Sequence, residues 1–268
     1  WIPTTPIYHL SKGAFFLNPE GIASQERPDS PLKLSAPVPS KVPYPAALRA
    51  LPEMKPPAVW LPYNKMGRSG TDLVVCADDG KFGPFGGQLF VGEFTDAKVG
   101  RVFLEKIEGE YQGAAFPFLS GFASGVVRLL FAPDGSLWIA CTAGWGAGED
   151  GLQRVRWDGR AGMDILDLKL APRGLRVSFT RPLPVEELAR VSAYEVNRFR
   201  YYYQSKYGSP PIDEARVKVI AARPAPDGSS VELEFDELFA GFIHEVSVPT
   251  LQAADGERIA HPLGYYTV

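Results

Sequence analysis

The sequence is poor in the residues from which most functional sites are built. Its 268 residues contain only two cysteines, Cys76 and Cys141, and three histidines, His9, His244 and His261. Two cysteines are too few for a disulfide scaffold and too sparse for a zinc site. There is no CxxCH, which excludes covalently attached c-type haem within this chain. None of the histidines has a second His, Cys or acidic residue at ligand spacing on one face, so no metal site is read. A G-x-S-x-G elbow is missing, and Ser120-Gly121 and Ser124-Gly125 sit in a Gly/Phe loop with no base assigned nearby. Gly144-Trp145-Gly146-Ala147-Gly148 lacks the Lys-Ser/Thr of a phosphate loop. No apolar run is long enough to span a bilayer, so no membrane span is expected. Charge of one sign is missing as well. The net charge is −3 with both signs mixed throughout, unlike the clustered Lys and Arg of a nucleic-acid surface. The chain opens on Trp1 with neither an initiator Met nor a leader, as expected of a processed chain or a piece of a longer one.

What is present suffices for a sizeable core: 45% hydrophobic and 22% charged residues, as in ordinary globular domains. Proline is concentrated at the front, with Pro3, Pro6, Pro19, Pro28, Pro31, Pro37, Pro39, Pro43, Pro45, Pro52, Pro56 and Pro57 all within residues 1–57. Each fixes φ and removes a donor, so no central strand or long helix is expected there. The reading is a Pro-rich extended segment wrapping a surface, with a helical turn near Tyr44 to Leu51.

From residue 58 to 160 the texture changes to short β runs. They are VWLPY (59–63), DLVVC (72–76), GQLFVGEF (87–94), GRVFLEKI (100–107), VVRLLF (126–131), SLWIAC (136–141) and GLQRVRW (151–157). Asp79-Gly80, Gly86-Gly87, Glu108-Gly109 and Asp134-Gly135 separate them as hairpin turns. Such spacing fits propeller, sandwich or barrel. Both cysteines fall in these runs. They are either buried small hydrophobes or one bridge closing a loop of about 65 residues, worth roughly 4 kcal/mol.

Residues 161–268 carry DILDLKLA (164–171), GLRVSFT (174–180), YEVNRFRYYY (194–203), ARVKVIAA (215–222), SVELEFD (230–236) and FIHEVSV (242–248). A short helix is expected from Pro184 to Val191. Val231, Leu233 and Phe235 alternate with Glu232, Glu234 and Asp236, the pattern of a strand with one wet face. The reading is an immunoglobulin-like β-sandwich without the Cys…Trp…Cys signature of antibody domains. The boundary is placed near Asp158 to Met163.

GGQLFVGEF (86–94) followed by RLLFAPDGSLWIACT (128–142) resembles consecutive blade elements of the glucose/sorbosone dehydrogenase-like β-propellers. Pro133-Asp134-Gly135 supplies the turn, with φ set at Pro and positive φ at Gly. WIPTTPIYH, PPAVWLPYNKMGRSG (56–70), FPFLSGFASGVVRLLFAPDGSLW and YYYQSKYGSPPID (201–213) extend the likeness over nearly the whole chain. Together they resemble the carboxy-terminal part of large secreted bacterial quinoprotein-type proteins, often haem c-linked, with a trailing sandwich. The resemblance implies only the last blades of a propeller here, periplasmic or extracellular localisation, and pyrroloquinoline quinone and haem c in the parent protein. It implies upstream blades, or another polypeptide completing the propeller, as partner. The family's early catalytic His motif has no match, so no catalytic residue is assigned. Arg128 stands where related propellers present Arg toward the quinone, although Val126-Val127-Arg128-Leu129-Leu130 lacks the usual second basic or polar group.

The remaining candidates are ligand contacts. Trp145 is carried on a Gly-rich loop and could stack on a sugar, and His9 could face the propeller top. His244 alternates with Ile243 and Val246, which reads as a solvated strand position. Tyr201, Tyr202, Tyr203 and Tyr207 read as a domain junction, or else as a carbohydrate or protein contact patch. The expected function is the terminal, non-catalytic part of an extracytoplasmic quinoprotein sugar dehydrogenase-like oxidoreductase. The alternatives are a carbohydrate- or protein-binding module, and a structural subunit of a larger redox or surface assembly.

Overall fold

A computed structural model of the chain describes residues 5–12, 14–16, 26–30, 33–144, 148–204 and 209–268. It is all-β, 46% strand and 6% helix, with several sheets of which none is closed. Among the described residues no helix is long and apolar enough to cross a membrane.

The organising element is an eight-stranded sheet. Its order is Ile212–Val217, Glu195–Arg200, Ile243–Ser247, Leu263–Thr267, Glu110–Ser120, Lys98–Ile107, Leu89–Glu93 and Gly70–Val75. The last four form an antiparallel meander in chain order, reversed at turns such as Glu108-Gly109. The first four belong to the carboxy-terminal half. The two groups meet where Tyr265, Tyr266 and Thr267 pair with Ala115, Ala114 and Gly113.

Neither joining strand stands out in the sequence. Gly113, Ala114 and Ala115 carry little side chain, and Pro117 interrupts the alternation that marks a strand. Pro117 is tolerated because it lies opposite Gly100, next to the register shift between Val99 and Gly100. Gly113 is required by close approach, since a Cβ there would lie 1.9 Å from the Phe103 carbonyl oxygen. The expected boundary at 158–163 is where the chain leaves the three-stranded sheet for the four-stranded one. The hydrogen-bonded ladder nevertheless runs from one half into the other.

Because side chains alternate, the large sheet buries two different faces. On one face Val196, Val246, Tyr266, Ala114 and Phe116 join Leu168, Leu175, Val177, Val231, Leu233 and Phe235 in one core. The latter six come from a four-stranded sheet of order Ile165–Ala171, Gly174–Phe179, Ser230–Phe235 and Val219–Pro224. On the other face Phe199, Ile243, Tyr265, Ala115, Val102 and Val91 meet Tyr44, Ala47, Leu51, Trp60 and Leu61 from the leading segment and the residues just after it. The run at 59–63 therefore does not form a blade strand. Val59–Leu61 pairs with Thr5–Ile7 in a two-stranded sheet of its own. The helix Tyr44–Ala50 forms as expected, with proline in its first turn where no intrahelical N–H bond is lost.

A third cluster lies between the meander and a three-stranded sheet of order Gly151–Val155, Leu137–Thr142 and Gly125–Phe131. Phe82, Phe90 and Val99 pack on Val126, Leu129, Leu137 and Ile139. The hairpin turn at Pro133-Asp134-Gly135 works as read: Gly135 has φ +81°, and Asp134 accepts from the Ser136 amide at 3.0 Å. Cys76 and Cys141 are both free and buried in this cluster. Their burial pushes both thiols up in pKa, Cys76 to about 11.

Candidate functional site

Arg128 lies on the outward face of the three-stranded sheet. It is exposed, and its Nη1 donates to the Val127 carbonyl at 2.9 Å. The register puts Leu130, Trp138, Ala140, Leu152 and Arg154 on the same face. Leu130 and Leu152 are each 64% exposed. Arg154 is tied to Asp134 and to Ser136, with its guanidinium 5.3 Å from the Trp138 ring. Among the described residues Arg128 forms no ion pair, and one such guanidinium on an open sheet face does not by itself fit a quinone.

The other ligand candidates are scattered. His9 is exposed and sets its ring against Tyr111 at 4.6 Å, edge to face. Trp145 and Tyr207 lie outside the described residues. Tyr201 and Tyr203 are buried, packing with Tyr44 and Trp60, which is the junction arrangement rather than a contact patch. The short strand Tyr202–Tyr203 pairs with Val42–Pro43, tying the leading segment to the carboxy-terminal half.

His244 is not solvated. It is fully buried against Phe235, with ring centroids 6.1 Å apart and nearly parallel. Neither ring nitrogen has a hydrogen-bond partner among the described residues. Burial, with Arg198 nearby, pushes its pKa down to about 4. His244 does lie opposite Ile243, but it shares its face with Val246, and both sides of this strand are covered by cores.

Two polar clusters went unnoticed in the sequence. Arg101 is fully buried. Its Nη2 donates to the Ile165 carbonyl at 2.7 Å, and Nη1 donates to Gln88 Oε1 at 2.5 Å and the Leu166 carbonyl at 3.2 Å. Phe85 and Phe116 lie 4.3 and 4.8 Å from the guanidinium. Nearby, His261 Nδ1 stands 2.8 Å from Asp164 Oδ2, and His261 lines a cavity of about 120 Å³ together with Lys65, Lys98 and Ser120. A base oriented by a carboxylate thus shares a cavity with a serine 141 positions away. No hydrogen bond joins Ser120 to His261 among the described residues, so the nucleophile–base contact that activates a serine is not made. Among the described residues there is also no group of His, Cys, Asp and Glu arranged to hold a metal.

An apolar recess, a groove of about 380 Å³, lies between the helix Tyr44–Ala50, the start of Glu110–Ser120 and residues 240–243. Residues from all three parts of the sequence build it, so no local signal could have marked it.

No family model, curated protein or solved structure matches the chain.

Proposed function

We propose that the chain is the terminal, non-catalytic part of an extracytoplasmic quinoprotein sugar dehydrogenase-like protein. It supplies the last propeller-type blades and a trailing immunoglobulin-like sandwich. The observation that carries this reading is the uncovered outer face of the three-stranded sheet. Its inner face is sealed against the meander by Leu129, Leu137 and Ile139, and the two sheets are laced together at their neighbouring strands. Thr71 Oγ1 donates to the Val126 carbonyl at 2.8 Å, and the Leu129 amide donates to Asp72 Oδ2 at 2.8 Å. Its outer face should be polar if water were its permanent neighbour, yet Leu130 and Leu152 stand there in the open. Successive blades of a propeller cover one another's faces, so leucines exposed beside Arg128 and Arg154 on an outer face fit a blade awaiting its neighbour. Among the described residues the strand Gly151–Val155 also leaves one edge unpaired, where a further strand could be added. The quinone, its base and any haem c belong, in this reading, to the upstream blades and domains.

The test is to supply the upstream polypeptide. Joined to it, strands Gly125–Phe131 and Gly151–Val155 gain protection from amide hydrogen exchange, and the assembly reduces dye with quinone, Ca²⁺ and an aldose. The 268-residue chain alone stays inert. Robust aldose turnover by this chain alone, or no gain of protection in those strands, overturns the reading.

A further inference from the structure

The groove under the helix Tyr44–Ala50 has a size usual for small-molecule sites, about 300–1,000 Å³. Its floor is aromatic and held in place. Trp60 meets Tyr44 and Tyr201 edge to face at 5.0 and 5.7 Å. The Trp60 amide donates to Thr267 Oγ1 at 3.0 Å, and the Tyr63 amide donates to the Tyr201 hydroxyl at 3.2 Å. The Tyr44 hydroxyl lies 3.3 Å from that of Tyr8. A floor fixed in this way pays little ordering entropy when a ligand arrives.

The rim decides the ligand's charge. Glu110 is taken by Lys55 at 2.5 Å. Arg200 is taken by Asp213 at 2.5 Å and lies 4.6 Å from the Phe242 ring. Arg49, on the last turn of the helix, is exposed and makes no hydrogen bond or ion pair among the described residues. Lys106 sits 5.8 Å from the ring of Tyr111, which lines the groove. After pairing, Arg49 is the side-chain cation left on the rim of an apolar, aromatic floor, and the Val268 oxygen in the lining is held by the Gly241 amide at 2.8 Å.

We infer that this groove binds a small organic acid with an aromatic or apolar body, whose carboxylate is forked by Arg49. A guanidinium matches a carboxylate through two parallel N–H···O bonds. The ring body covers Trp60 and Phe242. A neutral sugar would leave Arg49 unanswered and find few polar groups on the floor.

The probe is 2-naphthoate, titrated into the whole chain and followed by calorimetry and by Trp fluorescence. Saturable binding is expected, with a fluorescence response lost in Trp60→Phe. The neutral analogue 2-naphthol, and Arg49→Gln with 2-naphthoate, should each bind roughly tenfold more weakly or worse. Arg49 is exposed, so Arg49→Gln should keep the native circular dichroism and melting temperature. The inference is overturned if 2-naphthoate and 2-naphthol bind alike, if Arg49→Gln leaves the affinity unchanged, or if no saturable binding occurs at millimolar concentration.

Discussion

Arg101 holds the Ile165 carbonyl oxygen at 2.7 Å through its Nη2, 64 residues along the chain and across the junction between the meander and the four-stranded sheet. Gln88 completes the clamp, its Nε2 donating to the Leu166 carbonyl at 2.9 Å. Burial lowers the guanidinium pKa to about 10, with Asp164 and Asp167 opposing the shift, so it stays charged at neutral pH. Replacing it by Met removes the donors to the Ile165 carbonyl and to Gln88 Oε1, while the Leu166 carbonyl keeps only Gln88. Arg101→Met is expected to cost about 3 kcal/mol, or roughly 6–12 °C in Tm for a chain of this size. A melting temperature within 2 °C of the parent (roughly the shift expected below 1 kcal/mol) would show that the clamp contributes little.

His244 sets a pH dependence whose sign is fixed by its burial. Its folded pKa of about 4 lies below the unfolded value of 6.5. Between these values the unfolded chain takes up a proton that the folded chain refuses. Stability is therefore full above pH 6.5 and falls as the pH drops toward 4, by about 3 kcal/mol from this group. Urea midpoints at pH 7.5 and 4.5 measure the loss. His244→Phe should flatten that part of the profile, and an unchanged slope in this variant would assign the dependence to other groups.

The two thiols should be inert in the native state. Both are buried and their pKa values raised, so little thiolate is present and access is poor. Iodoacetamide at pH 8 is expected to label neither Cys76 nor Cys141 until denaturant is added, and then both. Rapid native labelling, or a mass 2 Da low (about that of two hydrogens, as one bridge requires), would contradict the free, buried arrangement.

Residues 161–268 expressed alone should not melt cooperatively. Leu263–Thr267 loses its ladder to Glu110–Ser120, and the core of the four-stranded sheet loses Ala114 and Phe116. An exposed, newly created sheet edge also invites aggregation. A sharp thermal transition for this fragment would show that the shared sheet is dispensable. In the whole chain, Phe235→Ala should cost about 3–5 kcal/mol, as for other buried phenylalanines.

Much of the strand pattern was legible because it rests on local chemistry. Leu129, Leu137 and Ile139 alternate inward around a Pro-Asp-Gly turn, and Val231, Leu233 and Phe235 do the same against a run of acids. Turn residues and period-two alternation need no tertiary information. The strands that were missed, Glu110–Ser120 and Leu263–Thr267, lack that signal. The small residues and proline of Glu110–Ser120 fit because Phe103, Gly100 and the bulge beside Gly100 lie opposite them, and Leu263–Thr267 is placed by its ladders to Ile243–Ser247 and to residues 113–115.

The candidate sites divide in the same way. Arg128 was carried over from the family resemblance, and the structure leaves it on an open face. The groove around Trp60, the Arg101 clamp and the His261–Asp164 contact each unite residues far apart in sequence, so no spacing could announce them. His244 shows the limit most directly. Alternation placed its side chain opposite that of Ile243, but only the second sheet decided whether that side was water or core. The sequence by itself determined the all-β character, the turns, the Pro-rich front and the lack of metal-ligand spacing, since these follow from backbone propensity and residue type. The tertiary structure decided which strands share a sheet, which faces are covered and which charges lose their water, because those depend on register between segments more than 100 residues apart.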